Sequence, residues 1–253
     1  MDDLTQYRRL LWDGCLNVRD LGGHASAAGY ITRTGGLIRA DNLARLTAAG
    51  QQTVRETGVS TIIDVRSPYE LGLEANPFAQ RLNDADPSYL NLPLLDETDA
   101  EGMALINAAP NLTEMYCIML ERFKGNIGEI MTAIAAAPPG AVVFHCHSGK
   151  DRTGLIAALV LKSVGVADAD IAADYALGDS YLGPLYSEIL AKKVDPEARA
   201  RLAEPLTSKP EAILSALLHL EERYGGIEPY LEACGLNQGT QRKLRERMLE
   251  PMQ

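Results

Sequence analysis

Cys146 and Arg152 are separated by five residues, His147-Ser148-Gly149-Lys150-Asp151, with His145 ahead of the cysteine and Thr153-Gly154 behind the arginine. An apolar run at 141–144 leads into this stretch and a helical pattern at 154–164 follows it. A thiol at a strand end, on a loop that feeds a helix, is placed to ionise, because helix N-termini and nearby cations favour the thiolate. The N–H groups of such a loop converge on one point and form a nest that suits a phosphate. His147 and Ser148 serve mainly through these backbone donors. Arg152 adds a planar fork that matches two phosphate oxygens. Gly149 and Gly154 permit turns and close packing that a side chain would obstruct. The chemistry these residues suit is attack of Cys146 on a bound phosphorus. Thr153 has two readings, a donor to the sulfur and the N-cap of a helix starting near 152–153.

The ten-residue string 145–154 resembles the signature loop of the cysteine-dependent protein tyrosine phosphatase superfamily, His-Cys-x5-Arg-Ser/Thr. Its narrower form, Gly-Lys-Asp-Arg-Thr-Gly, is similar to that of the atypical bacterial tyrosine/serine phosphatases of dual or triple specificity. Lys150 and Asp151 also resemble loop residues of phosphoinositide phosphatases. The stretches 17–23 (NVRDLGG), 35–43 (GGLIRADNL) and 62–70 (IIDVRSPYE), with the tail from Gly226, resemble further blocks of the bacterial family. The resemblance implies a metal-independent and cofactor-independent hydrolase of phosphomonoesters, acting on phosphotyrosine and in some members on phosphoserine or phosphothreonine. A phosphoinositide substrate is the alternative.

Strands alternating with helices point to an α/β domain, with a central, mostly parallel sheet of four to five strands flanked by helices. The β-like stretches are 30–39, broken by Gly35-Gly36, then 59–65, 88–94 and 141–144. Helical patterns cover 47–57, 113–124 with Gly125 as C-cap, and 127–137. Beyond the loop the chain reads as helical at 155–164, 170–177, 185–193, 196–206, 210–224, 229–233 and 238–249. The whole of 1–253 is expected to form one domain with a helical C-terminal part. A helical lid is expected around 98–137. In such sheets ligands gather at the carboxyl ends of strands, which brings 64–66, 94–96 and 145–146 to one rim.

Ester cleavage needs a general acid for the leaving oxygen. Two carboxylates compete for that role. Asp151 lies in the loop, and the family resemblance implies an acid role there; Asp96 follows a strand, fifty positions before Cys146. Asp151 is preferred. Its bland reading is a carboxylate that organises the loop by pairing with Lys150 or a backbone N–H; that of Asp96 is one charge in a solvated acidic run. Lys150 is expected to touch the phosphate or a second anionic group. Asp64, on the rim and counted with the substrate-binding residues, is expected to pair with Lys150 or orient the loop, or else to cap the next element. Arg66 either meets substrate or bridges carboxylates, and His145 orients the loop from below. Arg19 and Asp20 read as a structural ion pair, and His24 and His219 as incidental.

Net charge is −10, with 24 Lys and Arg against 34 Asp and Glu over 253 residues. That balance argues against nucleic acid and against general adhesion to anionic membranes. No apolar run approaches the ~18 residues of a membrane span, and the first fourteen residues lack the apolar core of a secretory signal. The four cysteines, Cys15, Cys117, Cys146 and Cys234, show no metal-ligand spacing. A reducing cytoplasm is the simplest setting for a thiolate enzyme, with signal-independent export left open. Residues 64–70 are also similar to a rhodanese string, although that family's loop typically lacks the Arg-Thr ending. A nucleotide P-loop is excluded, because Gly149-Lys150 is followed by Asp and lacks the upstream glycine.

Overall fold

The computed structural model describes residues 8–82, 84–192, 195, 197 and 206–252. Its centre is a five-stranded sheet built from β1 (Arg19–Asp20), β4 (Leu37–Ala40), β5 (Val59–Asp64), β6 (Ser88–Asn91) and β7 (Ala141–His145), in the order β1-β4-β7-β5-β6. β4, β7, β5 and β6 run parallel, and β1 is antiparallel to β4. β7 is the middle strand. Its residues alternate between two cores, Val142 and Phe144 on one face and Ala141 and Val143 on the other. Both cores are apolar, so β7 reads as a continuous apolar run, as a doubly covered parallel strand should.

Helix α1 (Ala48–Glu56) packs on β5, and its Val54 joins Trp12, Ile38, Ile62 and Val143 in the smaller core. Helix α2 (Pro68–Leu73) follows β5, and α3 (Ala100–Ala108) and α4 (Leu112–Arg122) follow β6. On the opposite face lie α5 (Lys124–Ala136) and α6 (Asp151–Ser163). Outside them pack α7 (Asp168–Ala191), α8 (Pro210–Tyr224), α9 (Ile227–Ala233) and α10 (Gln238–Met248). A small antiparallel sheet, β2 (Ala25–Ser26), β3 (Tyr30–Thr32) and β8 (Leu249–Pro251), ties the C-terminal end of the chain to its N-terminal part.

Several boundaries differ from those expected. The stretch 30–39 divides between two sheets at the Gly35-Gly36 break. The strand expected to reach 94 ends at Asn91, ahead of Pro93. Gly125 is no C-cap: α4 ends at Arg122 with Phe123 as its C-cap, and Gly125 lies inside α5. The helices expected at 170–177 and 185–193 are one helix, α7, with Pro184 inside it. Packing of Ile171, Tyr175, Leu182 and Tyr186 outweighs the proline, whose cost is about 3 kcal/mol in an unsupported helix. Of the helix expected at 196–206, all but 197 and 206 lie outside the described residues. Of the span 98–137, α5 is no cover; it packs beneath the sheet with Ile127, Ile130, Met131 and Ile134 fully buried.

The contact between α5 and the turn after α9 is unusually close. A Cβ on Gly128 would stand 1.9 Å from the carbonyl oxygen of Cys234. Backbone on both sides gives way only by shifting a helix, so Gly128→Ala should destabilise the fold by about 1–3 kcal/mol. Urea unfolding checks this; an unchanged midpoint would mean that the two segments are not packed this tightly.

Candidate active site

Four parallel strands end on one rim, and the central one delivers the thiol. β7 stops at His145, Cys146 follows with 1% of its surface exposed, and α6 begins at Asp151. The helix therefore starts one residue earlier than expected. Lys150 is the N-cap position and makes no side-chain cap, so Thr153 lies within the first turn and is not the N-cap.

The loop between strand and helix is held by its carbonyls. Asn42 N–H donates to His147 O at 3.1 Å. The Asn17 side chain donates to Ser148 O at 3.1 Å and to Gly149 O at 3.2 Å. Arg39 Nη2 donates to Gly149 O at 2.8 Å. Gly149 has φ +67°, and a Cβ there would stand 2.5 Å from Ala40 O, so this turn and its seat on β4 both require glycine. At Gly154 a Cβ would meet the Tyr175 ring at 3.0 Å.

Beneath the loop lies a buried charge network. Arg66 Nη2 donates to Asp64 Oδ2 at 2.7 Å, and His145 Nε2 lies 3.2 Å from the same oxygen. Asn76 Nδ2 is 3.0 Å from that ring nitrogen, and His145 Nδ1 is 3.2 Å from Cys146 O. Burial alone would raise the Asp64 carboxyl; His145 and Arg66 outweigh it and hold the group far below the usual carboxylate range. Asp64 thus supports the loop through His145. The expected pairing with Lys150 is absent because Arg66, two residues on, takes the carboxylate. Arg66 is fully buried and bridges Asp64 to Glu74 O, a scaffold role rather than a substrate contact.

Above the loop the charged side chains are paired in this state. Arg152 makes a two-pronged contact with Glu70, at 2.5 and 2.7 Å. Burial would raise the Glu70 carboxyl, but Arg152 pulls it down to about 2. Lys150 Nζ lies 3.0 Å from Asp151 Oδ1 and donates to Thr207 O at 3.0 Å. Asp151 Oδ1 also accepts from the Tyr116 hydroxyl at 2.6 Å. Thr153 Oγ1 is buried and has no hydrogen-bond partner among the described residues. His147 lies half-exposed at the rim, and burial and the neighbouring Arg45 lower its pKa. A cavity of about 270 Å³ opens over His147, Ser148 and Asp151, with apolar walls that include Leu182, Tyr186 and Ile189 of α7. Burial raises the pKa of the Tyr186 hydroxyl, and the Ser148 side chain beside it acts the other way.

Asp96 behaves differently. It is held by the hydroxyl and N–H of Thr98, which lower its pKa, opposite in direction to what a proton donor needs. Arg19 and Asp20 are not an ion pair with each other. Arg19 pairs with Asp174, while Asp20 accepts from the N–H groups of Gly22 and Gly35. All four cysteines are free thiols.

Comparison with known proteins shows the family. A model of the tyrosine phosphatase family matches residues 10–250. A tyrosine-protein phosphatase of Nostoc commune is 31% identical, over 83% of this chain and 73% of its own length. The chain belongs to the tyrosine phosphatase family. The triple specificity protein phosphatase PtpB of Mycobacterium tuberculosis is 29% identical to this phosphatase, over 92% of this chain and 96% of its own. A solved P. aeruginosa TpbA in complex with pTyr covers 72% of this chain and 95% of its own at 14% identity, with a TM-score of 0.32, and adds nothing to the sheet order above. Among the described residues of the phosphatase, no helix is long and apolar enough to cross a membrane.

Glu70, Asn17, Arg39, Asn76 and Tyr116 escaped the sequence reading. Only Glu70 carries a local signal: with Ser67 it forms a capping box at the start of α2, but its grip on Arg152 is tertiary. The pairs beneath and above the loop make an acid-sensitive fold. Asp64 and Glu70 are depressed on folding, so their stabilisation is complete above about pH 4, the unfolded carboxylate range, and is lost as pH falls through the folded values. Asp64→Asn breaks a buried pair and should cost about 3–5 kcal/mol at neutral pH. Its unfolding free energy should also fall less steeply than wild type between about pH 5 and pH 3 in denaturant titrations. Equal slopes would show that Asp64 is not a charge-bearing support.

Proposed function

We propose that this phosphatase works through a cysteinyl-phosphate intermediate, with Cys146 as nucleophile, Arg152 and the N–H groups of the loop as the phosphoryl cradle, and Asp151 as general acid. The observation that carries the reading is the outward tethering of three successive loop carbonyls, those of His147, Ser148 and Gly149. With its acceptors turned to the scaffold, the loop presents its donors to the concave side, where a dianion is bound. His147, Ser148, Gly149, Lys150 and Thr153 are accordingly substrate-binding positions, and Asp64 supports them from below.

In the first step the Cys146 sulfur attacks phosphorus, and the S–P bond forms as the P–O bond to the leaving group breaks. Asp151 gives its proton to the departing oxygen. Tyr116 and Lys150 both contact Oδ1, which leaves Oδ2 for that transfer. Water then attacks the cysteinyl-phosphate, Asp151 takes its proton, and inorganic phosphate leaves with return of the thiolate. The unpartnered Thr153 hydroxyl is suited to donate to the sulfur as it departs. The transition state is largely dissociative, so charge placement and alignment carry most of the rate. Arg152 must release or share Glu70 to hold phosphate; Glu70 then orients the fork.

The substrate class proposed is phosphotyrosine in proteins. The apolar walls formed by Leu182, Tyr186 and Ile189 suit an aromatic ring better than an inositol polyol. The name of the mycobacterial relative, a triple specificity phosphatase, supports a range wider than one phosphorylated residue. Cys146→Ser should abolish turnover while retaining phosphate binding. Asp151→Asn should lower kcat by about 10²–10⁴-fold for alkyl leaving groups and far less for activated aryl esters. The check compares kcat/KM for phosphopeptides, aryl phosphates and soluble phosphoinositides, with Asp96→Asn alongside. Full activity in Cys146→Ser would overturn the mechanism, and higher kcat/KM on phosphoinositides would overturn the substrate assignment.

A further inference from the structure

Three helices meet at the proposed acid through side-chain oxygens. Tyr116 of α4 donates its hydroxyl to Asp151 Oδ1, at the start of α6, at 2.6 Å. The Tyr116 oxygen also lies 2.6 Å from the Tyr175 hydroxyl of α7. Both tyrosines are buried, with 0% and 1% of their surface exposed. Their rings pack edge to face, with centroids 6.2 Å apart. Tyr175 is seated in turn against α6, where a Cβ on Gly154 would stand 3.0 Å from its ring. Asp151 is partly open, with 26% of its side chain exposed, and it lines the cavity over the loop.

The direction of these bonds follows from counting protons. Each phenol has one proton to give. Tyr116 gives its own to Asp151, so Tyr175 supplies the proton of the bond between the two hydroxyls. Lys150 Nζ lies 3.0 Å from the same carboxylate oxygen, and an ammonium only donates. A proton on Oδ1 would face that ammonium and a hydroxyl already pointing at it. Oδ1 is therefore an acceptor whether Asp151 is ionised or neutral, and the acidic proton belongs on Oδ2. Among the described residues Oδ2 accepts no hydrogen bond, and Arg152, the other cation beside Asp151, is taken by Glu70.

We propose that Tyr116 is a positioning residue for the general acid, and that the Tyr175–Tyr116 pair fixes the catalytic proton on Asp151 Oδ2. The inference rests on Asp151 being the general acid. In the first step that proton leaves Oδ2 for the departing oxygen as the P–O bond breaks. In the second, Oδ2 takes one proton from the attacking water. Both tyrosines keep their protons throughout, so the chain orients and transfers nothing. Burial, with Asp151 alongside, pushes both phenols above the usual tyrosine range, so they remain donors. No hydroxyl has to turn between the two steps, and the site is organised in advance for both. Lys150 alone would not achieve this. Its ammonium is a point charge on a flexible stem, whereas the Tyr116 ring is locked in the larger core.

A buried phenol needs a partner in any case, and the bland role of Tyr116 is to support the fold. Leaving-group dependence separates the two roles. A general acid matters most where the departing oxygen is a poor leaving group. Loosened packing slows every substrate alike. The measurement is kcat/KM over phosphate monoesters graded from nitrophenyl through phenyl to alkyl. Tyr116→Phe keeps the ring and removes only the hydroxyl. It should lower kcat/KM about tenfold for alkyl esters, as expected when a reacting group is slightly misplaced, and much less for nitrophenyl. Asp151→Asn should show the same pattern more strongly. The double variant should be no slower than Asp151→Asn, because a tyrosine that acts through the acid then has nothing to position. An equal fall across the series in Tyr116→Phe, no fall, or losses that multiply in the double variant would overturn the role of Tyr116 and leave the acid assignment standing. A flat series in Asp151→Asn would overturn the acid assignment, and the proposal with it. Tyr175→Phe keeps the Tyr116–Asp151 bond but removes the donor behind it, so it should show a smaller fall with the same dependence. If Tyr116→Phe does not fold, Tyr175→Phe decides: a fall graded by leaving group supports the proposal, and an equal fall or none overturns it.

Discussion

The site depends on a reversal of polarity over three residues. A loop that binds an anion must keep its carbonyls away from it, and a carbonyl turned away must find a donor. Here the donors come from places remote in sequence: Asn17 ahead of the short β1, Arg39 and Asn42 at the end of β4. Each is a buried group that would be costly without its acceptor. The loop and the N-terminal strands therefore specify one another, and the parallel pairing of β4 with β7 brings them into register, Ala40 beside His145.

The second layer of support is ionic and dry. Asp64–Arg66 with His145, and Asp174 with Arg19 and Arg39, lie on either side of β7 under the loop. Buried ion pairs are weak contributors to net stability, since desolvation offsets most of the Coulombic gain. Their use here lies in geometry. They hold His145 and Gly149 at defined positions under the loop.

The cover over the site also differs from what chain order suggests. The segment between β6 and β7 divides its work: α5 is core, and α4 reaches the loop through Tyr116 and Asp151. The apolar wall facing the cavity comes from α7, after the loop in sequence. A helix that starts by anchoring Asp174 beneath the loop and continues to Tyr186 beside Ser148 couples the charge network to the cavity wall.

Read from residues alone, the chain discloses the proposed nucleophile and arginine fork, the loop glycines and the alternation of strands and helices, because each depends on local spacing and period. The mostly parallel sheet follows from the same pattern, and five strands form it. His145 as a buried support was legible from its place before the cysteine. Tertiary structure alone decided which charges meet. Lys150 turned to Asp151 and Thr207, Asp64 to Arg66 and His145, Arg152 to Glu70, and Arg19 to Asp174 across 155 positions. Periodicity shows which face of a strand is buried; it carries no information about which distant carboxylate shares that dry space. Pairing there is set by desolvation, which forces every buried charge to find a partner among the few groups the packing brings within reach.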